Sequence, residues 1–375
     1  MSAASPSSRH ADGPLGLDRP ALAAVLGELG VPERQRRMRT QQLWGWLYRR
    51  GAGSFAEMSD LPAELRAALA ERLPWRRPTV SAEEVSRDGT IKWLVRLGDG
   101  REVEAVFIPE PDRGSLCIST QVGCTLACSF CHTGTMKLVR NLSAAEIVEQ
   151  VRLARDRLAD WDERGRRRLT NVIVMGMGEP LFNWDNLKAA LRLVMDPDGI
   201  NLSRRRITVS TSGVVPRIGD VGAELRTKLA ISLHAVRDDL RDELVPLNRK
   251  WPIDALLDAC RAYPHEGRAI TFEYVMLDGV NDGDAEARAL VRRLEGFPAK
   301  VNLIPFNPWP GAPYACSPRE RIAGFARILE DAGFPSPVRT PRGRDIRAAC
   351  GQLKTASERA RRGPAAVRPT VSETV

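Results

Sequence analysis

Residues 115–131 read SLCISTQVGCTLACSFC, a short strand pattern that runs straight into a loop with three cysteines. Cys124, Cys128 and Cys131 have the spacing C-x3-C-x2-C and account for three of the seven cysteines in the chain. Cysteines at such short intervals are typical of a metal or iron–sulfur site. The stretch therefore predicts a strand that carries a metal-binding loop at its carboxyl end.

Strand patterns and helical patterns alternate after this point. Helical stretches with apolar residues at i, i+3 and i+4 separate short β-branched runs. Six such units without reversal predict an α/β fold with a parallel sheet, closed or partly closed into a barrel. The six predicted strands cover residues 115–120, 171–176, 206–211, 228–234, 270–276 and 300–306.

Polar residues or glycines stand where these strands end. Active sites of parallel barrels lie at the carboxyl ends of the strands. We therefore expect one functional face to contain the cysteine loop and four further strand ends. These ends are GMGEP (176–180), STSG (210–213), SLH (232–234) and PFN (305–307).

Two kinds of metal site compete for the cysteines. A structural zinc site needs four ligands, and His132 is the candidate for the fourth. Because residues 131 and 132 are adjacent, their side chains point in different directions, and a shared ion requires a sharp fold of the loop. An iron–sulfur cluster held by three cysteines instead leaves one iron open to a further ligand.

The net charge and the apolar content of the sequence indicate what kind of partner and which compartment to expect. The 375 residues carry a formal charge of +9, and only seven of the 56 basic residues are lysines. This balance fits a phosphate-rich partner, although an arginine-rich genome composition explains it equally well. The sequence contains no apolar run long enough for a membrane span and no signal-peptide pattern, so we expect a cytoplasmic protein with reduced thiols.

The region before the cysteine loop has two patterns. Residues 19–75 have helical periodicity, and within residues 34–50 the aromatic run 43–48 lies between arginines on both sides. Such a helix either stacks bases and holds phosphates, or buries its aromatics and leaves its arginines outside. Residues 79–108 then alternate with period two and predict a hairpin whose turn is Asp99–Gly100.

Residues 113–340 resemble the radical S-adenosylmethionine (SAM) superfamily, on the cysteine spacing with Phe130 before the last cysteine and on GMGEP as the second-strand element. The resemblance implies one [4Fe–4S] cluster on the three cysteines, whose open iron binds SAM and cleaves it to a 5′-deoxyadenosyl radical. It also implies a set of SAM contacts. These are Gly178, Glu179, Ser210, Ser232, Leu233, His234 and Asn307.

The order CISTQVGCTLACSFC, GMGEP, STSG, SLHA, PFNPW and AACGQL closely resembles the RlmN/Cfr family of RNA adenine methyltransferases, over about residues 20–354. The resemblance implies two SAM molecules per turnover, the first methylating Cys350 and the second yielding the radical that abstracts hydrogen from that methyl group. Glu104 would accept a proton from the adenine. Cys117 would then attack the sulfur of Cys350, which releases methylated RNA and leaves a disulfide.

The same resemblance implies substrates and partners. We expect methylation at C2 of an adenosine in 23S rRNA and of the adenosine 3′ of the tRNA anticodon; the alternative is C8 of the same rRNA adenosine. An electron donor such as flavodoxin or ferredoxin and a monomeric protein are expected. We expect Arg342, Arg344 and Arg347 to favour the ionised sulfur of Cys350. Arg344 and Arg347 also depart from the family, which often has acids there.

The resemblance and the patterns together predict six segments. They are a disordered N-terminus (1–18), a helical RNA-binding accessory domain (19–78), a hairpin connector (79–112), the partial barrel (113–340), a catalytic C-terminal segment (341–354) and a disordered tail (355–375).

Overall fold

The structure is a computed structural model that describes residues 13–162, 167–264 and 267–355. Most of the two predicted disordered ends, residues 1–12 and 356–375, therefore lies outside the described residues. Residues 13–18 are described, and for them the prediction is wrong. Leu15 and Leu17 are buried in the core, and the Gly16 N–H donates to the Tyr48 hydroxyl at 3.3 Å. Two leucines among glycine and proline are enough to anchor this stretch.

Among the described residues, nine strands form one mixed sheet and two short strands form a small ladder beside it. The strand order of the large sheet is β1-β2-β3-β4-β7-β8-β9-β10-β11. In chain order the strands are β1 (Thr79–Val85), β2 (Ile91–Arg96), β3 (Glu102–Glu110), β4 (Arg113–Cys117), β5 (Gln121–Val122), β6 (Arg140–Asn141), β7 (Asn171–Val174), β8 (Ile207–Thr211), β9 (Lys228–Ser232), β10 (Ile270–Met276) and β11 (Ala299–Pro305).

Helices cover the sheet and form the N-terminal region. The barrel helices are amphipathic; one of them begins with a capping box in which Ser143 and Glu146 satisfy each other's backbone N–H groups. The helices are α1 (Arg19–Glu28), α2 (Glu33–Trp44), α3 (Ala63–Arg72), α4 (Ala144–Arg157), α5 (Trp184–Met195), α6 (Val215–Asp220), α7 (Asp238–Leu244), α8 (Ile253–Arg261), α9 (Asp284–Leu294) and α10 (Arg319–Asp331).

The prediction of a parallel, partly closed barrel is confirmed. Strands β4, β7, β8, β9, β10 and β11 pair in parallel and in chain order, and each corresponds to a predicted strand. In the described part of the chain β11 pairs with no strand of the antiparallel half, so the sheet stays open. All six carboxyl ends consequently lie at one edge.

The predicted hairpin exists and is continuous with the barrel sheet. β2 and β3 pair antiparallel around a turn in which the Gly100 N–H donates to the Leu97 carbonyl at 2.9 Å. β1 pairs with β2 on one side, and β3 pairs with β4 on the other. The hairpin therefore extends the barrel sheet by three antiparallel strands, and side chains on β3 can face the barrel.

The N-terminal helices pack on the barrel through buried aromatic rings and through an ion pair between Arg19 and Asp196. Trp44 and Tyr48 are buried, and the Trp44 indole N–H donates to Asp196 at 3.2 Å. Arg19 donates to the same carboxylate at 2.5 Å. Of the two interpretations of the aromatic and basic helix, the core one holds for these two rings, since a fully buried ring cannot stack on a base.

None of the described helices is both long and apolar enough to cross a lipid bilayer.

Leu15→Ala tests the anchoring of the N-terminal stretch. Because Leu15 is only 2% exposed, we expect the free energy of unfolding to fall by about 2–4 kcal/mol, measured by urea denaturation. Met38→Ala is the control, since Met38 is 49% exposed on helix α2 and its loss should change stability by less than about 0.5 kcal/mol. Equal midpoints for the two variants would contradict the packing of residues 13–18.

Candidate active site at the barrel mouth

The carboxyl ends of the parallel strands surround an open cavity. The five predicted strand-end motifs all reach it. Its lining includes Cys124, Cys128, Cys131, Gly178, Glu179, Ser210, Ser232, His234, Glu273, Asn307, Arg339 and Cys350.

The cysteine loop is shaped by close backbone approaches. Gly123 has φ +78°, and a Cβ there would lie 2.2 Å from the Lys137 carbonyl oxygen. A Cβ on Gly134 would lie 2.6 Å from the Cys128 carbonyl oxygen. The Leu126 N–H donates to the Cys124 sulfur at 3.3 Å. These constraints turn all three cysteines toward one cavity.

The cysteines fit a cluster better than a single ion. Burial raises the pKa of Cys124 to about 12 and also raises the pKa of Cys128 and Cys131, so a bound cation is needed to keep these sulfurs ionised. Among the described residues, no three Cys, His, Asp or Glu side chains converge closely enough for one ion. Three thiolates around a shared cavity suit the larger [4Fe–4S] unit.

His132 does not complete a zinc site. Its ring stacks on Trp309 with centroids 4.7 Å apart and planes 5° apart. It is absent from the described residues that line the cavity, whereas the neighbouring Cys131 is present. The two adjacent side chains diverge, as their sequence positions predict.

The GMGEP loop presents a buried carboxylate. Gly178 has φ +102°, and a Cβ there would lie 2.6 Å from the Gln121 side chain, so glycine is required. The Glu179 carboxylate accepts the N–H groups of Leu181 at 3.1 Å and Ser212 at 2.8 Å. Burial raises the pKa of Glu179 to about 7 despite these hydrogen bonds. A cationic ammonium group at this point would favour the ionised form.

The other expected SAM contacts divide into two groups. Ser210, Ser232, His234 and Asn307 line the cavity. Leu233 is not among the described lining residues; its side chain is buried, and its N–H donates to the Glu273 carbonyl at 3.1 Å. Any Leu233 contact with a ligand would therefore need another conformation of this loop.

His234 is held neutral by its surroundings. Its φ of +63° is unusual for a residue other than glycine, and the Val275 N–H donates to Nδ1 at 3.1 Å. An accepting Nδ1 places the proton of the neutral ring on Nε2. Burial lowers the pKa of His234 to about 3, with a smaller effect from Arg241.

Cys117 and Cys350 meet in a second cavity with an empty volume of about 640 Å³, next to the first. Burial raises the pKa of Cys117 to about 12, and the charge of Cys350 contributes to that shift. All seven cysteines are free in this structure. The structure thus places the two cysteines on one wall, near Cys131 and Gly176.

The arginine that lies beside Cys350 is Arg339, which the sequence reasoning missed. Arg339 lines both cavities, and the charge of Cys350 is the largest influence raising its pKa. Of the three later arginines, Arg342 also lines the second cavity and donates to the Pro109 carbonyl. The expectation needs correction for the other two: Arg344 donates to the Asn307 side chain, Arg347 is exposed, and neither is among the described residues that line the two cavities.

Glu104 is buried on β3 behind this wall, and it is not among the described residues that line either cavity. Its Oε1 lies 3.3 Å from Lys92 Nζ, and its Oε2 accepts the Lys354 N–H at 2.8 Å. Burial raises the pKa of Glu104, opposed mainly by Lys92. A basic carboxylate of this kind can accept a proton once one of its oxygens is uncovered.

Comparison with known proteins agrees with this geometry. The radical SAM superfamily model matches residues 118–291, and the model described as the ribosomal RNA large subunit methyltransferase N-terminal domain matches residues 15–73. A dual-specificity RNA methyltransferase RlmN from Bradyrhizobium sp. strain BTAi1 is 62% identical, covering 92% of this chain and 89% of that protein. The chain belongs to the RlmN family.

Further relatives support the assignment. An RlmN protein from Methylobacterium radiotolerans is 59% identical over 92% of this chain and 87% of its own. The crystal structure of a radical SAM methyltransferase from Sphaerobacter thermophilus superposes with a TM-score of 0.86 at 48% identity, covering 92% of this chain and 99% of that one. This member of the RlmN family is therefore a radical SAM methyltransferase, and its family implies a [4Fe–4S] cluster and SAM.

Two functional candidates escaped the sequence reasoning in this RlmN-family chain. Arg339 follows an irregular stretch that runs along β11, where the Arg339 N–H donates to the Leu303 carbonyl at 2.8 Å. Lys92 on β2 pairs with Glu104 across the hairpin. The period-two pattern of the hairpin could have placed Lys92 near Glu104, but PSPVRTP (335–341) contains no strand signal.

The buried His234 predicts acid sensitivity. Because its folded pKa is about 3 and its ordinary value is 6.5, its stabilising effect is present above pH 6.5 and is lost as the pH falls toward 3. Between pH 7.5 and 5.5 this site should reduce the free energy of unfolding by about 1.4 kcal/mol, measured by urea denaturation of metal-free protein. His234→Asn preserves an acceptor and tolerates the positive φ, so its stability should fall less over the same interval. Identical pH dependence in both proteins would contradict a buried neutral His234.

Proposed function

We propose that this chain methylates C2 of adenosine in 23S rRNA and in tRNA, with Cys350 as the residue that carries the methyl group. The observation that supports this most directly is the placement of Cys350, which lines the cavity that the three loop cysteines line and shares the adjoining cavity with Cys117. A pair of cysteines beside three candidate cluster ligands is what a methyl-cysteine route requires. The relatives named for dual RNA specificity supply the substrate class.

We assign the cofactor site residue by residue. Cys124, Cys128 and Cys131 would hold one [4Fe–4S] cluster, which when bound supplies the electron that cleaves SAM reductively. Glu179 would accept hydrogen bonds from the ammonium group of SAM, and Ser210, Ser232, His234 and Asn307 would bind its carboxylate, ribose and adenine. Apolar side chains such as Val275 and Phe306 form part of the wall of this site.

We assign the methyl transfer to three residues. Cys350 takes its methyl group from one SAM molecule by nucleophilic attack of its sulfur, beside which the Arg339 guanidinium lies. A second SAM molecule is consumed in each turnover. Glu104 accepts the proton that the adenine carbon loses. Cys117 then attacks the Cys350 sulfur, the bond between that sulfur and the carbon it has delivered to the adenine breaks, and the methylated RNA leaves as the disulfide forms. We place the reaction in the cytoplasm because its RNA substrates lie there.

Peptide mass spectrometry tests the methyl-cysteine route. Anaerobic, cluster-loaded protein incubated with SAM should gain one methyl group on the tryptic peptide 348–354 (AACGQLK), which contains Cys350 as its one cysteine. The peptide 251–261, which contains the buried Cys260, is the internal control and should remain unmodified. An unmodified Cys350 in cluster-loaded protein would contradict the proposal. Nucleoside analysis of the RNA then separates 2-methyladenosine from the 8-methyl alternative.

An open groove beside α2 is the proposed RNA surface of the accessory region. Arg34 and Arg37 lie exposed along it, and Arg49 and Arg50 continue the basic wall. Acidic residues also line it, among them Asp60, which accepts the Trp46 indole N–H at 2.6 Å. The arginines would bind phosphates, while the target base leaves its stack to enter the barrel mouth.

Charge reversal in this groove should separate RNA binding from cysteine methylation. Arg34→Glu with Arg37→Glu should weaken RNA binding about tenfold or more and lower the salt-dependence slope by about two, measured by filter binding at several salt concentrations. Methylation of Cys350 should be unchanged. Arg36 is left intact because its guanidinium donates to the Val31 carbonyl at 2.9 Å.

The matched control reverses Arg321 and Arg327, two exposed arginines on α10, which packs on α9 and β11. This control should bind RNA at the wild-type affinity. Equal weakening in both double variants would mean that net charge alone governs binding. Loss of Cys350 methylation in the α2 variant would show that the helix has a structural role.

A further inference from the structure

Lys92 lies at the centre of a charged row that crosses three strands. Its ammonium group is 3.0 Å from Oε2 of Glu84 on β1 and 3.3 Å from Oε1 of Glu104 on β3. The Lys92 side chain is 11% exposed and that of Glu104 is 6% exposed, whereas Glu84 is 48% exposed. Water screens the outer pair, so the inner pair is the stronger interaction.

The same two inner groups hold the segment that contains Cys350. Lys92 Nζ donates to the Ile346 carbonyl at 2.6 Å, four residues before Cys350. Glu104 Oε2 accepts the Lys354 N–H at 2.8 Å, four residues after Cys350. Both hydrogen bonds involve a charged partner, which makes them stronger than ordinary backbone bonds.

The opposite side of the segment is held by neutral groups of the barrel. The His132 N–H donates to the Gly351 carbonyl at 2.7 Å, and the Asn307 amide donates to the Cys350 carbonyl at 3.3 Å. Gln352 donates to the Pro308 carbonyl at 2.7 Å. The segment around Cys350 is thus held by the barrel on one side and by the hairpin on the other. The contacts on the hairpin side come from the charged side chains of Lys92 and Glu104.

We infer that Lys92 is a positioning residue that, together with Glu104, clamps both flanks of Cys350 and so fixes its sulfur in the cavity. The inference rests on the proposed function for the roles of Cys350 and Glu104, but the clamp itself is a property of the folded chain. It also links two steps of the reaction. When Glu104 accepts a proton it loses its charge, so its ion pair with Lys92 and the hydrogen bond from the Lys354 N–H weaken. The hairpin then holds the segment less tightly at the step in which Cys350 reacts with Cys117.

The access of a small alkylating reagent to Cys350 measures the clamp directly. Cluster-loaded protein is treated anaerobically with iodoacetamide, and labelling of peptide 348–354 is followed with time by mass spectrometry. Lys92→Met should label Cys350 about tenfold faster than the wild type, because a charge-assisted attachment on one flank is lost. Lys92→Arg restores a donor and a positive charge, so it should label within about twofold of the wild-type rate.

Lys188→Met is the matched control. Lys188 pairs with Glu224 at 3.1 Å on the surface of α5, remote from the segment in sequence, and its loss should leave Cys350 labelling unchanged. Cys260, fully buried in α8, reports global opening through peptide 251–261. If Lys92→Met also exposes Cys260, the variant unfolds globally and Glu104→Gln is the test instead. Glu104→Gln keeps the shape of the side chain and removes its charge, so it should still accelerate Cys350 labelling.

If Cys350 in Lys92→Met is labelled at the wild-type rate while Cys260 stays protected, the clamp is overturned. The same holds if Glu104→Gln leaves the rate unchanged. Failure of the proposed function has a different signature, since a wild-type protein that methylates neither Cys350 nor RNA leaves the labelling result intact. Methylation of Cys350 by SAM should also slow in Lys92→Met and recover in Lys92→Arg.

Discussion

Parallel pairing of six strands in chain order is the constraint on which the rest of this structure depends. Each βα unit returns the chain to the same edge of the sheet, so every strand ends at one mouth. The parallel strands from β4 to β11 pair with one another in the order in which they occur in the chain. The cysteine loop, the Glu179 loop, His234 and Asn307 come from distant parts of the chain and share a cavity for this reason.

Burial determines the electrostatics of that cavity. Ionisable groups removed from water resist charge, which keeps His234 neutral and raises the pKa of Glu179 and of the cysteines. A bound ligand of opposite charge can therefore offset the desolvation cost of ionising these side chains. Cations lie beside two of the candidate residues, Arg339 near Cys350 and Lys92 beside Glu104.

The C-terminal segment completes the mouth, because it brings Cys350 back to the end of β4. Its attachments reach the cysteine loop, the end of β11 and the hairpin. Continuity of the hairpin with the barrel sheet makes this arrangement possible, since β3 is paired with β4 and places Glu104 next to the segment. An accessory hairpin on a flexible tether could not supply such a fixed carboxylate.

The sequence by itself determined the six strands, the hairpin turn at Asp99–Gly100 and the five strand-end motifs that reach the mouth. These features follow from local periodicity and from the rule that parallel strands share an edge, and both are written in consecutive residues. Short motifs such as AACGQL were equally visible because each is contiguous. The misjudged stretch 13–18 shows the limit of composition, since two leucines among glycines and proline were enough to order it.

Only the tertiary structure decided which charges face which groups. Arg339 lies beside Cys350 because an irregular stretch along β11 directs it there, whereas Arg344 and Arg347 are not among the described residues that line that cavity. Trp44 and Tyr48 are buried in the core. Trp44 is enclosed by Asp196 and Arg19, which lie far from each other along the chain. Burial and ion pairing depend on neighbours that are distant in sequence, and a pattern of adjacent residues does not contain them.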